Sequence, residues 1–374
     1  MITSSADRPR QRRLHVLVEL LSSDLRTGAA NDCLDLATFA DAQSLTFTFC
    51  GHLDTAFIAE AHRRGAATTA GRSLMLSKRA AVPYMVNVMA WMRRLKSLKP
   101  DVVHLDYSGW APSLACAAHF ARTPVVGRAG GSYNPGNRAN AWISAYAANC
   151  EPHAALLLAS PLADRVRVTG SLFKADRLVP PFVKVREIPA RQPGRTRFLF
   201  LGQIVDRKGV HVLVEAFSRV SAPADLLIAG GNWLEPGFPQ EVKRQVARLG
   251  LSDRVFLEDF RTDAPALLDD CDVFVLPSLS DARPRGIIEA MYLGKPVVST
   301  TVGGIPTLVQ DGVTGLLVPP SDAGALAKAL DDLASHPELR RRMGSAARVW
   351  SRSEVRPDHA AAKLADLYRG LAAR

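Results

Sequence analysis

Residues 278–320 read SLSDARPRGIIEAMYLGKPVVSTTVGGIPTLVQDGVTGLLVPP. The apolar run Val273-Phe274-Val275-Leu276 precedes them and ends at Pro277. A polar loop follows, then a helix from about Gly286, then a second apolar strand at Pro296-Val297-Val298. Strand, loop and helix in that order set the loop at the carboxyl end of a parallel sheet, where open α/β sheets bind ligands. Two carboxylates flank the loop. Asp281 stands at its start and Glu289 lies one turn inside the helix, with ARPRGII between them. A helix start offers unpaired N–H groups and a partial positive charge to a phosphate. Glu289 offers an acceptor to a hydroxyl. The stretch therefore suits a ligand that carries both phosphate and hydroxyl groups.

Working outward, a second strand and helix start at Phe198-Leu199-Phe200-Leu201, followed by Gly202-Gln203-Ile204-Val205-Asp206-Arg207-Lys208-Gly209 and a helix over 210–220. Further upstream, 14–21 reads as a first buried parallel strand, mostly apolar. Strands follow at 45–49, 102–105, 123–127 and 154–159, and a helix at 84–98. Later strands fall at 225–230 and 255–257, a helix at 322–333, and two or three helices over 338–371. The resulting fold class is α/β. At 374 residues the chain is long enough for two domains.

The segment Asp281 to Pro320 resembles the donor-binding region of retaining glycosyltransferases of family 4, which have the GT-B fold. That family carries a Glu, seven residues and a second Glu in a Glu-Ala-Met helix. Here Asp281 takes the first place and Glu289-Ala290-Met291 the second. Gly294-Lys295-Pro296-Val297-Val298, Val302-Gly303-Gly304-Ile305-Pro306, Asp311-Gly312-Val313-Thr314-Gly315 and Leu317-Val318-Pro319-Pro320 continue the likeness. The segment from Gly202 is similar to the family's Gly-Arg, four residues, Lys-Gly motif, whose cations hold the donor diphosphate. Lys208 matches, but Gln203 replaces the Arg and removes one charge.

The resemblance implies two Rossmann-like domains facing across a cleft. Residues 14–185 form the acceptor-side domain, 186–196 a linker, 197–350 the nucleotide-sugar domain, and 351–374 a helix crossing back. It implies transfer of a sugar, with retention, from a UDP- or GDP-sugar to a sugar or lipid-linked acceptor hydroxyl, in cell-surface glycan, polysaccharide or glycolipid synthesis. Asp281, Glu289 and Lys208 would carry the reaction. Gly202, Gln203, Arg207, Lys208, Pro284, Arg285, Gly286, Ile287, Ile288, Glu289 and, in the first strand-to-helix loop, Gly28 would hold the donor. Arg128 and Asp106 are the acceptor-side candidates, with a structural ion pair as the other reading of Arg128. Relatives place a histidine where this chain has Gly130, and pass the nucleobase near Phe260 and Arg261. No cofactor or metal is expected, because lysine and backbone dipoles meet the charge. The alternatives are a non-catalytic nucleotide-sugar-binding member of the same fold and a GT-B nucleotide-sugar epimerase. A dinucleotide-dependent dehydrogenase is disfavoured, since neither first strand is followed by Gly-x-Gly-x-x-Gly.

Composition bounds the rest. Hydrophobic residues make 47% and charged ones 22%, as in globular proteins. No apolar run reaches the roughly 20 residues of a membrane span, and the start MITSSADRPRQRR lacks a signal's apolar core. Five scattered cysteines without Cys-x-x-Cys spacing suggest reduced thiols and a cytoplasmic setting, and the family resemblance implies a place at the inner face of the cytoplasmic membrane. Residues 1–190 hold 23 Lys/Arg against 14 Asp/Glu, and 191–374 hold 24 against 22. The basic first half suits an anionic membrane surface. A basic helix with Met and Trp over 84–98 suits peripheral contact, or packs on its own domain. No nucleic-acid motif is present, so nucleic acid is not an expected partner.

Overall fold

The computed structural model describes residues 12–374 apart from 21–22, 26–27, 76–80, 107–111, 130–137, 174, 176–177, 232–234 and 236. Strand and helix alternate, as short apolar runs alternate with amphipathic ones. The first half holds β1 (Leu14–Leu20), α1 (Gly28–Thr38), β2 (Leu45–Gly51), α2 (Thr55–Arg63), β3 (Ala67–Thr68), α3 (Ala81–Leu98), β4 (Val102–Leu105), α4 (Ser113–Phe120), β5 (Val125–Ala129), β6 (Ala145–Ala148), α5 (Glu151–Leu158) and β7 (Val166–Val168). The second holds β8 (Thr196–Leu201), α6 (Val210–Phe217), β9 (Ala224–Ala229), α7 (Phe238–Arg248), β10 (Val255–Glu258), α8 (Ala264–Asp270), β11 (Val273–Leu276), α9 (Arg285–Tyr292), β12 (Val297–Thr300), β13 (Gly315–Val318), α10 (Ala323–Ser335), α11 (Pro337–Glu354) and α12 (Pro357–Ala372).

Among the described residues the strands form two parallel sheets, β3-β2-β1-β4-β5-β6-β7 and β10-β9-β8-β11-β12-β13. Both are buried on both faces, which explains why their strands read as continuous apolar runs rather than alternating ones. In register, Val16 faces Phe47 and Val102, and Phe274 faces Val297 and Leu199. The order reverses between β1 and β4 in one sheet and between β8 and β11 in the other. These are the two positions where such sheets open a ligand crevice.

The chain divides into two compact units. One comprises residues up to Phe173 together with Arg356–Arg374, the other Lys174–Val355. The division thus falls ahead of the stretch 186–196 read as the linker. Hydrogen bonds give the reason. Val185 N–H donates to the Asp263 carboxylate at 2.8 Å, and the Arg261 guanidinium donates to the carbonyls of Arg186 and Glu187 at 2.6 and 3.0 Å. These contacts tie residues 185–187 to the second unit.

Helix α12 belongs to the first unit. Its Leu364, Ala365, Tyr368 and Leu371 join the core built on Val16, Val18, Phe47 and Phe49. Burying Leu364 and Leu371 contributes about 1.5–3 kcal/mol each. Tyr368 OH also meets His104 Nδ1 at 2.5 Å, and Arg369 donates to the Gln43 carbonyl at 2.8 Å.

One expected element is corrected. Residues 154–159, read as a strand, lie in and just after helix α5. Glu151 and Pro152 occupy its first turn, where an acid and a proline each favour a helix start. The apolar run that follows cannot by itself distinguish helix from strand.

Candidate functional site

The β8/β11 reversal in the second unit gathers most of the residues read as functional. Strand β8 leads through Gly202 and Gln203 into a short 3-10 turn, Asp206–Lys208. Gly209 follows with φ +68°. A Cβ on Gly209 would lie 2.0 Å from the Pro277 carbonyl, so only glycine lets this turn rest on the end of β11. That contact brings Lys208 to the loop after β11. Its Nζ donates to Asp281 Oδ2. Ser278 Oγ donates to the same oxygen at 3.0 Å, and Ala282 N–H donates to Oδ1 at 2.9 Å. The backbone locks the two segments as well, since Leu279 N–H donates to the Arg207 carbonyl at 2.8 Å.

The Gly303-Gly304 turn closes the loop from the other side. Gly304 N–H donates to the Ala282 carbonyl at 2.7 Å, and a Cβ on Gly303 (φ +52°) would sit 1.8 Å from the Asp281 carbonyl. Helix α9 then starts at Arg285 with Pro284 as its cap, and no side chain caps it. The first backbone N–H groups of a helix have no intrahelical acceptor. Within α9, Ile287, Ile288, Ala290 and Met291 pack inward, and Glu289 is buried with them at 6% exposure.

The charge on Lys208 is held against its surroundings. Burial depresses its pKa, Asp281 pulls it back up, and nearby Arg207 lowers it again. The net shift is downward, so one carboxylate does not compensate the lysine fully. Arg207 itself is exposed, and its guanidinium donates to Gln203 Oε1 at 2.9 Å.

The acceptor-side candidates come together in the first unit, also beside a strand-order reversal. Arg128, on β5, donates to Asp106 at 2.7 Å and to Asp32 of α1 at 2.9 Å. Burial opposes its charge, but the two carboxylates outweigh burial and raise its pKa. Asp106 is raised by burial, against the pull of Arg128. Arg128 thus forms the ion pairs of its structural reading while its side chain stays 27% exposed. Gly28 opens helix α1. Tyr107 and Ser108 after β4, Gly130 to Tyr133 after β5, Asn232 after β9, Lys78, Arg79 and residues 1–11 lie outside the described residues.

Arg261, read as a base contact, is placed elsewhere. Its side chain is fully buried, bonded twice to Asp263 at 2.9 and 2.7 Å, and spent on the backbone of residues 186–187. Its neighbour Phe260 is 38% exposed. Sequence reasoning missed Ser278, Asp32 and Asp263. Ser278 lies inside the recognised stretch, three residues before Asp281, but serine there carries no distinctive signal. Asp32 meets Arg128 only in the folded sheet, and Asp263, though two residues from Arg261, meets Val185 only in the folded unit.

Residues 183–350 match the family described as glycosyl transferases group 1. Alpha-D-kanosaminyltransferase of Streptomyces kanamyceticus is 31% identical over 176 residues, which are 46% of this chain and 45% of that protein. The match thus spans about half the length of that curated relative. Among solved structures, a glycosyltransferase from Rickettsia africae aligns with a TM-score of 0.82 at 20% identity, covering 96% of this chain and 99% of the other. The Anabaena protein HepE, solved with UDP and glucose, aligns with a TM-score of 0.78 at 19% identity, covering 96% and 100%. At such identities the structures speak for the fold alone, while the family match lies within the second unit. Residues 183–350 are thus similar to the glycosyl transferases group 1, and the chain as a whole has the GT-B fold.

Proposed function

We propose that this protein is a retaining glycosyltransferase of hexosyltransferase type, moving a sugar from a nucleoside diphosphate sugar to an acceptor hydroxyl. The observation that carries the reading is Lys208: a largely buried ammonium, its side chain 12% exposed, with one carboxylate partner, at the β8/β11 crevice, on a loop bonded to the one that leads into helix α9. Such an ammonium, with the α9 N-terminus, suits a diphosphate. As the anomeric bond breaks, negative charge grows on the leaving diphosphate. Lys208 and the N–H groups of Gly286, Ile287 and Ile288 meet it, so the reading takes no resident metal. Fixed donors of this kind are each worth about 2.7–4 kcal/mol of barrier. Glu289 accepts from the ribose hydroxyls. Asp281, held by Lys208 and Ser278, accepts from the donor sugar. UDP in the HepE complex supports a UDP-sugar as the first donor to try. A cytoplasmic site and a cell-surface glycan or lipid-linked acceptor complete the reading.

Glu289→Ala tests it. Thermal stability measured against UDP-, GDP- and ADP-sugars should rise for the wild type with one nucleotide series. A donor at about 100 times its dissociation constant adds ~2.7 kcal/mol. The variant should lose that shift and its transfer activity while keeping its fold. Transfer at the wild-type rate by Glu289→Ala would refute the assignment. A second reading, a non-catalytic nucleotide-sugar binder, draws on Asp281, whose two oxygens both hold protein partners. Donor stabilisation without turnover or hydrolysis under any acceptor would favour it.

A further inference from the structure

Helix α3 presents two opposed faces. Tyr84, Val88, Trp91 and Leu95, at helical spacing, are buried. At 100° per residue, Val82, Met85, Val86, Met89, Arg93 and Lys96 share a stripe about 100° wide on the other side. Val82, Met85, Val86 and Met89 are 75, 50, 56 and 49% exposed. A row of large apolar side chains turned to water is not explained by the domain's own core, whereas single ones need no explanation.

Further along the same stripe the character changes. Arg93 and Lys96 are exposed and, among the described residues, make no ion pair. Their neighbour Arg94 behaves differently: it donates to the Ala70 carbonyl and lies 5.3 Å over the Trp91 ring. The surrounding sequence is uniformly basic. Residues 61–100 contain nine Lys/Arg and no Asp/Glu.

We propose that this outward stripe of α3 docks on an anionic lipid bilayer. The charge of Arg93 and Lys96 is complementary to such a surface, whereas Arg63 and Arg64 of the same basic run are paired with Glu60 and Asp35. From Val82 to Lys96 the stripe runs roughly 21 Å along the helix. Its first two turns are apolar, fit to sink into the boundary between headgroups and acyl chains. Its last turns are cationic, with long side chains that keep their charge among the phosphates while their stems lie on apolar surface. Flexible methionines suit a fluid partner better than a fixed groove. The buried face stays on the domain throughout, so docking requires no unfolding. This inference stands whether or not the chain transfers sugar.

The full chain should co-sediment with vesicles of equal phosphatidylglycerol and phosphatidylcholine at least tenfold more strongly than with phosphatidylcholine alone. Binding should weaken at 0.5 M salt, as screening demands. The pairs Met85→Glu/Met89→Glu and Arg93→Glu/Lys96→Glu should each lower vesicle partitioning about tenfold or more. Both pairs should leave the melting temperature unchanged, since all four side chains face solvent. Val349→Glu, a change at an equally exposed apolar residue on α11 in the other unit, should change nothing. Failure of the wild type to bind anionic vesicles overturns the proposal, as does undiminished binding by Met85→Glu/Met89→Glu. A wild-type dimer that this pair turns to monomer, with vesicles unable to compete, would assign the face to a second copy instead.

Discussion

Two cation–carboxylate clusters sit at the strand-order reversals of the two sheets, and they balance differently. In the first unit, Arg128 has two carboxylates, Asp106 and Asp32, and its charge is favoured despite burial. In the second unit, Lys208 has only Asp281, and burial prevails. A planar guanidinium can serve two carboxylates at once, whereas an ammonium is a point charge with donors to spare. The first cluster is therefore closed on itself and holds β5 to α1 and to the end of β4. The second is short of negative charge, the condition in which a buried cation gains from an incoming phosphate. The comparison supports the second unit, rather than the first, as the place for the proposed diphosphate.

The largest expected effect breaks the closed cluster. Arg128→Met strands Asp106 and Asp32, and loss of one partner of a buried ion pair costs about 3 kcal/mol or more. Calorimetry should show a drop of roughly 6–12 °C in the melting of the first unit. Donor binding, measured by the same titration as for wild type, should survive wherever the fold does.

Lys208→Met should do the reverse. Transfer should fall about 10²–10³-fold, the cost of one lost charge-stabilising donor, while melting falls less than in Arg128→Met, since one carboxylate rather than two is left and Ser278 and Ala282 still donate to it. Alkaline titration sharpens this. Because the folded pKa lies below 10.5, the unfolded state binds more protons between the two values, and stability rises with pH across that window. Activity should fall over the same window as Lys208 loses its proton. Asp281→Asn should move that fall to lower pH, and a fall left in place would contradict the pairing.

A smaller effect tests a pair that serves neither site. The Arg261 hydrogen bond holds the buried Asp263 carboxyl down at about 2. Between that value and 3.8 the unfolded chain binds the extra proton, so about 2 kcal/mol is lost as pH falls through the window. Asp263→Asn should remove this acid sensitivity and loosen residues 185–187, which protection against hydrogen exchange would read.

The smallest effect concerns the seam of α12 with β4. Burial, aided by Arg128, lowers the His104 pKa to about 3, which keeps the ring neutral. Tyr368→Phe should cost ~1 kcal/mol, the net worth of one hydrogen bond. Its destabilisation should be the same at pH 5 and pH 7, because His104 does not titrate between them. A strongly pH-dependent difference would show that the ring ionises in place.

The alternation of strands and helices, the α/β class and the stretch from Asp281 to Glu289 were legible in the chain, because hydrophobic period and loop chemistry act over a few residues. Helix α3 was legible too, but not which of its residues face out: Trp91 turned inward while Met85 and Met89 did not. Helix α5 was misread because a short apolar run has no period of its own. Tertiary structure alone decided the ion pairs. Lys208 and Asp281 are 73 residues apart, and Arg128 and Asp32 are 96 apart. Whether a buried charge is compensated depends on which carboxylates the sheet order brings alongside it, and no local pattern carries that. The same holds for Arg261: the sequence set it in a loop, and only the packing of residues 185–187 onto that loop made it a structural residue rather than a ligand contact.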